Sequence, residues 1–242
     1  MIAIKKLYSR FQSGYLAIYK KRTEFVLDQI RTDGYNRPIN LLILGARDDF
    51  VKRVVGKTKN SFSYYLVDKK STCIQAENFH YISSDLNFKI PYEDKKFDFI
   101  IADQIIEHLV NPERFLEEIA RIGKHGCRVV IGSENLAAWH NIMSLVLGYH
   151  PFSDHYSERR RVGNPLSIHH KKRLSDPLMR HCKVPTIRAL SELMKLYKMD
   201  IDDIRGFGHM FPLGVHWDKS HSIQFVITAQ LRKPTKKDGG FN

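Results

Sequence analysis

The chain has 242 residues, of which 43% are hydrophobic and 27% charged, a composition typical of a globular protein that buries a core of its own. The net charge of +13 is uneven, because segments 1–31, 150–188 and 232–242 carry +5, +6 and +3 and the remainder carries −1. No apolar stretch is long enough to span a bilayer, no signal peptide is recognisable, and the 3 cysteines are too far apart for a disulfide framework. We therefore expect a cytoplasmic protein.

The two ends of the chain are predicted to differ from its middle. Segment 1–37 is predicted to contain one or two amphipathic helices, because apolar residues recur among basic ones at helical spacing. Segment 232–242 is basic and polar and is predicted to be a disordered tail. The apolar positions of the first segment are Leu7, Phe11, Tyr15, Ile18, Phe25, Val26 and Ile30.

The main domain, predicted over 38–231, begins with strands that alternate with helices. Nearly continuous apolar strands separated by helices indicate an α/β fold with a parallel sheet and helices on both faces. Asn111-Pro112 is a typical helix start, and Gly126 is expected where that helix ends. The first five strands are predicted at 39–44, 63–67, 80–83, 97–102 and 127–132.

The pattern changes after residue 136, where an insertion over 136–184 is predicted. A helix covers 136–147, and 148–183 is rich in His, Arg, Pro and Ser with little periodicity. Regular structure resumes with a helix over 186–197. Two strands follow at 201–205 and 223–231, and we expect the last strand to form an antiparallel edge.

Polar or small residues follow the first four strands, where open α/β sheets bind ligands. Gly45 lets backbone approach a ligand, and Asp68, 23 residues on, can accept the hydroxyls of a ribose. Asp85 follows the third strand, and Asp103 and Gln104 follow the fourth. Each aspartate alone is more often a turn or cap residue, but the set at one edge predicts a nucleotide-like cofactor site.

The motifs of segment 83–135 make the chain resemble class I S-adenosylmethionine-dependent methyltransferases of the small-molecule, type 11 group. The resemblance covers about 38–135, and more weakly 185–208, which is similar to relatives linked to glycan biosynthesis. It implies a Rossmann-like, seven-stranded, mostly parallel sheet with an antiparallel last strand, and S-adenosyl-L-methionine as cofactor. The motifs are Asp85-Leu86, Phe97-Asp98, Glu107-His108-Leu109, Asn111-Pro112, Gly126 and Asn135.

The resemblance also implies roles for individual residues. At the methionine part of the cofactor would lie the first loop, Gly45, Ala46 and Arg47, and the end of the fourth strand, Asp103 and Gln104. At the ribose would lie the end of the second strand, Asp68 and Lys69. Around the adenine would lie Asp85 and Leu86.

The first loop departs from the family motif, which reads acid-hydrophobic-Gly-x-Gly-x-Gly. Segment 43–49 reads Ile-Leu-Gly-Ala-Arg-Asp-Asp, so the acid and two glycines are missing. In one interpretation Arg47 turns outward or pairs with the methionine carboxylate, while an aspartate replaces the acid. In the other, Arg47 fills the pocket and the protein is a non-catalytic, methyltransferase-like binding protein.

Methyl transfer requires mainly that the acceptor be aligned with the sulfonium methyl group. A base helps when the acceptor is a hydroxyl, and the candidates are Glu107, His108 and His140. The alternative is that Glu107-His108 is a structural signature at a helix start. No pair of histidines or cysteines has metal-site spacing, so no metal is predicted.

The insertion is predicted to act as a lid over the acceptor side, because 148–183 is too short and polar to bury a core. Its two basic clusters could clamp phosphate or carboxylate groups, and the alternative is a solvated loop. The predicted function is methyl transfer to an anionic small-molecule or glycan-type acceptor, with peripheral membrane contact left open. A nucleic-acid methyltransferase has only the net charge in its favour. The clusters are Arg159, Arg160, Arg161 and Lys171, Lys172, Arg173.

Overall fold

The computed structural model describes residues 2–30, 38–45, 48–58, 62–69, 78–174, 180–208 and 219–233, with side chains from residue 14 onward. The fold is a seven-stranded sheet in the order β3-β2-β1-β4-β5-β7-β6. The strands are β1 Ile39–Leu44, β2 Phe62–Asp68, β3 Phe79–Ser83, β4 Phe97–Asp103, β5 Gly123–Glu134, β6 Met199–Phe207 and β7 Gln224–Leu231.

The sheet is mostly parallel, and β7 runs antiparallel to both β5 and β6. The predicted α/β sheet with an antiparallel last strand is therefore confirmed. The predicted position of that strand is wrong in one respect, because β6 forms the edge and β7 lies inside the sheet. The reason is burial: β7 is buried along nearly its whole length, whereas β6 is partly exposed and has charged residues that tolerate an edge.

Helices cover both faces of the sheet, as predicted. Alternate residues of β1 enter two separate cores, since Leu42 faces the core built on α3 and α5 and Leu41 faces the core built on α1 and α2. The helices are α1 Ile2–Asp28, α2 Asp48–Lys57, α3 Pro112–Ile122, α4 Trp139–Val146 and α5 Ile187–Leu196, with short 3-10 helices at Ile106–His108 and Lys219–His221.

The N-terminal segment forms one long helix, α1, where one or two were predicted. Its second half is part of the core on one face of the sheet, where Val26 and Leu27 pack with residues of β1 and α2. The predicted boundary after residue 37 stays a prediction. Residues 234–242 of the predicted tail lie outside the described residues.

The start of α3 is as predicted, since the Asn111 side chain accepts a hydrogen bond from the Arg114 backbone N–H at 3.1 Å. The predicted end at Gly126 is wrong. The helix ends at Ile122, because Gly123 already pairs with Phe97 as the first residue of β5. Gly126 has φ +80° within that strand, a conformation that explains the glycine without a helix end.

No helix in the described part of the chain is long and apolar enough to cross a membrane. The two described cysteines, Cys127 and Cys182, are both free thiols. A cytoplasmic location stays a prediction.

Candidate functional site

The register of the sheet brings the predicted cofactor residues to one edge. Leu44, the last residue of β1, pairs with the residue before Asp68 in β2 and with the residue before Asp103 in β4. Because all three strands are parallel, Gly45, Asp68 and Asp103 lie at the same level on neighbouring strands. The carboxyl edge of the sheet is therefore a continuous row of the predicted residues.

Gly45 is required at the first loop by its conformation and by its surroundings. Its φ is +67°, and a Cβ built on it would lie 1.8 Å from Cδ1 of Ile105. The Gly45 N–H donates to the Val67 carbonyl at 2.8 Å, which fixes the start of the loop on β2. Ala46 and Arg47 lie outside the described residues, so both interpretations of Arg47 stay open.

Lys69 and Asp85 form an ion pair between the ends of β2 and β3, with 2.7 Å between Nζ and Oδ2. The pKa of the Asp85 carboxyl is lowered: partial burial raises it, but hydrogen bonds from Lys69 and from the Asn87 amides outweigh burial. Asp85 thus orders the turn after β3, and Leu86 is buried in the core. Asp68 is half-buried at the end of β2.

Asp103 pairs with a residue that the sequence analysis missed. Nη1 of Arg22, on α1, lies 3.2 Å from Oδ1 of Asp103, and Arg22 is fully buried. This contact is an ion pair without hydrogen-bond geometry, so Nε and Nη1 of Arg22 have no hydrogen-bond partner among the described residues. Gln104, next to the pair, has φ +60°. Its Nε2 is buried and has no hydrogen-bond partner in the described part of the chain. A buried cation with unfilled donors is costly unless something completes its hydrogen bonds.

Helix α1 and strands β5 and β7 contribute a partly buried polar network beside Arg22. Oε1 of Glu134 accepts hydrogen bonds from the Tyr15 hydroxyl at 3.0 Å and from Nε2 of Gln224 at 2.7 Å. Its Oε2 accepts from the Ser153 hydroxyl at 3.4 Å, which in turn contacts Nε2 of His140 at 3.4 Å. Burial and the Glu134 carboxylate raise the pKa of Tyr15, and burial lowers the pKa of His140.

Glu107 and His108 lie on the 3-10 helix after β4, and the insertion brings His181 beside them. Burial and the Glu134 carboxylate raise the pKa of Glu107 to about 8, although the Ser133 hydroxyl and Arg22 act against this. Burial and the neighbouring His181 lower the pKa of His108 to about 4, and burial also lowers the pKa of His181.

One potential ligand atom from each of Glu107, His108 and His181 lies within 4.8 Å of the other two. No local spacing in the sequence predicts this cluster, because its third member comes from a distant segment of the chain.

The two basic clusters of the insertion form one surface. Residues 159–161 run beside 171–174 as a short antiparallel ladder, in which Arg160 bridges Arg173 and the Arg161 N–H donates to the Lys172 carbonyl at 3.0 Å. Arg161 is half-buried, and the other five basic side chains are exposed. We call these six residues, Arg159, Arg160, Arg161, Lys171, Lys172 and Arg173, the basic ladder.

The insertion is attached to the carboxyl edge of the sheet at both ends. The Leu136 N–H donates to the Pro185 carbonyl at 3.0 Å, so the ends of the insertion meet. The Cys182 N–H donates to the Glu107 carbonyl at 2.7 Å, and Nδ1 of His108 lies 2.9 Å from the Arg180 carbonyl oxygen. The insertion is therefore held against the end of β4.

Comparison with known proteins gives a family match for part of the chain. Residues 49–131, about a third of the chain, match the model of the methyltransferase domain family. An uncharacterized protein of Methanocaldococcus jannaschii, MJ1123, is 35% identical over 43 residues, which are 18% of this chain and 21% of that protein. The match therefore spans about a fifth of the length of this curated relative.

Solved structures share the whole fold at low identity. The 1,6-didemethyltoxoflavin-N1-methyltransferase of Burkholderia thailandensis, solved with S-adenosylhomocysteine, has a TM-score of 0.55 and 14% identity over 94% of this chain and 88% of that chain. A SAM-dependent methyltransferase of Methanosarcina mazei has a TM-score of 0.56 and 15% identity over 83% and 95%. The [4+2]-cyclase SpnF has a TM-score of 0.54 and 13% identity over 88% and 81%.

Residues 49–131 therefore match the methyltransferase domain family, and the chain as a whole has the same fold as these S-adenosylmethionine-dependent methyltransferases. The fold alone does not fix the reaction, because SpnF is described as a cyclase. The chemistry of its own site therefore decides which reaction this chain carries out.

Three of the residues that shape the site were missed from the sequence: Arg22, Glu134 and His181. Arg22 lies in a helix whose basic residues resemble a solvated face. Glu134 lies two residues after the predicted fifth strand and is the last residue of β5. The strand-end rule that identifies Asp103 could therefore have identified it. Among the histidines of the insertion, nothing local distinguishes His181.

Proposed function

We propose that this protein transfers a methyl group from S-adenosyl-L-methionine to an anionic small-molecule or glycan-type acceptor. The observation that carries the proposal is the row of Gly45, Asp68 and Asp103 at one level of the sheet, with Arg22 paired to Asp103. When bound, the cofactor supplies an electrophilic methyl group on sulfur, so the protein has mainly to bind and align its two substrates.

The Arg22–Asp103 pair suits the amino-acid end of the cofactor. That end carries an ammonium and a carboxylate, which a neighbouring carboxylate and guanidinium match in charge. Nε and Nη1 of Arg22 have hydrogen bonds left to donate, as judged within the described residues. Asp103 would then bind the ammonium group in place of the acid that the first loop lacks. Asp68 would bind the ribose hydroxyls.

Of the three candidate bases, the two histidines suit the role better than the carboxyl. The pKa of Glu107 is raised to about 8, so it holds a proton at neutral pH. The pKa values of His108 and His140 are lowered by burial, so both imidazoles are unprotonated there and can accept a proton. We keep both as candidate bases.

The basic ladder supports an anionic acceptor. Five of its six side chains are exposed, and pairing of 159–161 with 171–174 places positive charge from both clusters on one surface. Concentrated positive charge beside a site attracts anionic ligands and raises their local concentration. Arg161 also interacts electrostatically with Tyr15 and Glu134, which supports an acceptor site close to the cofactor residues.

The first test is calorimetric titration with S-adenosylmethionine and S-adenosylhomocysteine. We expect both to bind, and Arg22→Gln to weaken binding at least about tenfold, since a charge-assisted pair is worth more than 1.4 kcal/mol. The control is Lys20→Gln, an exposed basic residue on the same helix, which should bind as the native protein does. No binding of either compound at millimolar concentration would contradict the proposal.

Restoration of a glycine separates the proposal from the non-catalytic alternative. If binding appears only in Arg47→Gly, the native loop blocks the cofactor and the protein is a methyltransferase-like binding protein. If the native chain already binds and Arg47→Gly binds no better, the cofactor site works as it stands.

The second test addresses the acceptor side, with inorganic pyrophosphate as the probe. We expect Arg159→Glu/Arg160→Glu to reduce pyrophosphate binding severalfold and to leave S-adenosylhomocysteine binding unchanged. Arg188→Glu, an exposed change on α5, is the control. An equal loss of both ligands, or no loss of either, would refute the acceptor surface. Salt-dependent binding of tRNA or duplex DNA that the double variant abolishes would instead favour a nucleic-acid acceptor.

A further inference from the structure

Three side chains from two distant segments converge at the end of β4. Glu107 and His108 follow the strand on a 3-10 helix, and His181 comes from the last part of the insertion. Their potential ligand atoms all lie within 4.8 Å of one another. Two backbone hydrogen bonds, from the Cys182 and Lys183 N–H groups to the Glu107 carbonyl at 2.7 and 3.2 Å, hold the segments together.

Hydrogen bonds orient both imidazole rings in the same way. Nδ1 of His108 lies 2.9 Å from the Arg180 carbonyl oxygen, and Nδ1 of His181 lies 2.5 Å from the Ser153 carbonyl oxygen. Because a carbonyl oxygen only accepts, each Nδ1 must carry the proton. Each Nε2 therefore has a lone pair, and this arrangement is the usual one for histidines that bind metal ions.

The carboxyl group is arranged similarly. Oε2 of Glu107 accepts a hydrogen bond from the Ser133 hydroxyl at 3.1 Å. Its Oε1 is buried and has no hydrogen-bond partner among the described residues. A fully buried carboxyl oxygen without a partner is costly, and a cation beside it would remove that cost.

We propose that Glu107, His108 and His181 form a binding site for a divalent transition-metal ion, such as Zn²⁺. Two imidazole nitrogens and one carboxylate oxygen suit Zn²⁺, Co²⁺ and Fe²⁺, whereas Mg²⁺ and Ca²⁺ prefer oxygen ligands alone. Ligands about 2.1 Å from a tetrahedral Zn²⁺ lie about 3.4 Å from one another. The three ligand atoms, within 4.8 Å of one another, are therefore somewhat farther apart than around a bound ion, and binding would have to draw them together.

Three protein ligands leave coordination positions open, as in catalytic rather than structural sites. If the proposed methyl transfer holds, an acceptor hydroxyl could bind at an open position. The ion would lower the pKa of that hydroxyl, whose proton leaves to water. The oxygen would then form its bond to the methyl carbon as the bond from that carbon to the sulfonium sulfur breaks, and a neutral thioether leaves. This role rests on the proposed function, whereas the binding site does not.

The experiment uses the full chain, treated with a chelator and dialysed. Titration with Co²⁺ should show one equivalent bound per chain, with the visible absorption of a nitrogen- and oxygen-ligated ion, and Zn²⁺ should displace it. We expect His181→Gln and His108→Gln each to lower the affinity at least about tenfold. His170→Gln, a half-buried histidine of the same insertion, is the matched control and should bind as the native chain does.

Circular dichroism of each variant separates loss of a ligand from loss of the fold. If His181→Gln does not fold, the native stoichiometry and a Zn²⁺-dependent rise in melting temperature, absent with Mg²⁺, decide the question. No Co²⁺ or Zn²⁺ binding by the native chain, or native affinity in a folded His181→Gln, would overturn the proposal. Metal binding without S-adenosylhomocysteine binding would support this metal site and refute the proposed methyl transfer. Binding of S-adenosylhomocysteine without metal binding would refute the metal site and leave the proposed methyl transfer intact.

Discussion

At the scale of single residues, Gly45 is the position where the backbone most restricts the sequence. Its φ of +67° is unfavourable for other residues, and a Cβ would overlap Cδ1 of Ile105 at 1.8 Å. We expect Gly45→Ala to destabilise the protein by about 2 to 4 kcal/mol, since a left-handed conformation costs about 1–2 kcal/mol and overpacking about 1–3 kcal/mol. Urea unfolding followed by circular dichroism measures this difference.

A double mutant separates the two causes. Ile105→Ala makes room for the new Cβ but leaves the backbone conformation unchanged, so Gly45→Ala should cost only about 1–2 kcal/mol in that background. Equal costs in the two backgrounds would show that the contact with Ile105 does not matter.

At the scale of elements, the end of α5 shows a conformation that its sequence does not suit. Lys198 follows the last turn of the helix and has φ +62°, a position where glycine is the usual residue. We expect Lys198→Gly to stabilise the protein by about 0.5 to 1 kcal/mol. The same substitution at the exposed Lys195, inside the helix, should destabilise it by about 1 kcal/mol. Thermal unfolding should give shifts of opposite sign, and shifts of the same sign would refute the assignment of this cap.

The regular elements could be predicted from the sequence because their signals are local. The apolar runs of β1 and β4 and the Asn111-Pro112 helix start identify their elements without any tertiary contact. The end of α3 could not be placed in this way, because it is set by the pairing of Gly123 with Phe97. The local pattern of apolar and polar residues does not indicate which residues pair across a sheet.

The candidate site was predictable only in part, for the same physical reason. Residues at strand ends follow a rule of topology, so Gly45, Asp68 and Asp103 could be named in advance. Arg22 and His181 come from a helix and an insertion that fold back over the edge of the sheet. Their positions depend on how whole elements pack, and neither their spacing nor the composition around them indicates it.

At the scale of the whole molecule, buried ionisable groups give stability a defined dependence on pH. Five of the described histidines have a lowered pKa, first because of burial: His108, His140, His155, His169 and His181. In the unfolded chain these imidazoles bind protons near pH 6.5, whereas in the folded chain they do so only at lower pH. The unfolded state therefore binds more protons below pH 6.5, and stability falls as the pH falls through this range.

Glu107 contributes with the opposite sign. Its pKa is raised from 4.5 to about 8, so between these values the folded state holds a proton that the unfolded state has lost. Stability should fall as the pH rises through that range. The five histidines outweigh this one carboxyl until most of the unfolded imidazoles have lost their protons, about half a pH unit above 6.5. We therefore expect the chelator-treated protein to be most stable at about pH 7.

His140→Gln tests the contribution of a single buried imidazole. His140 is enclosed beside Ser153 and Phe152, and glutamine does not titrate. Between pH 6 and 5, below its ordinary pKa of 6.5, one proton bound only by the unfolded state changes the free energy of unfolding by up to about 1.4 kcal/mol per pH unit. Urea unfolding at several pH values should show a shallower loss in His140→Gln than in the native chain. Parallel curves for the native chain and His140→Gln would show that His140 takes up its proton equally in the folded and unfolded states.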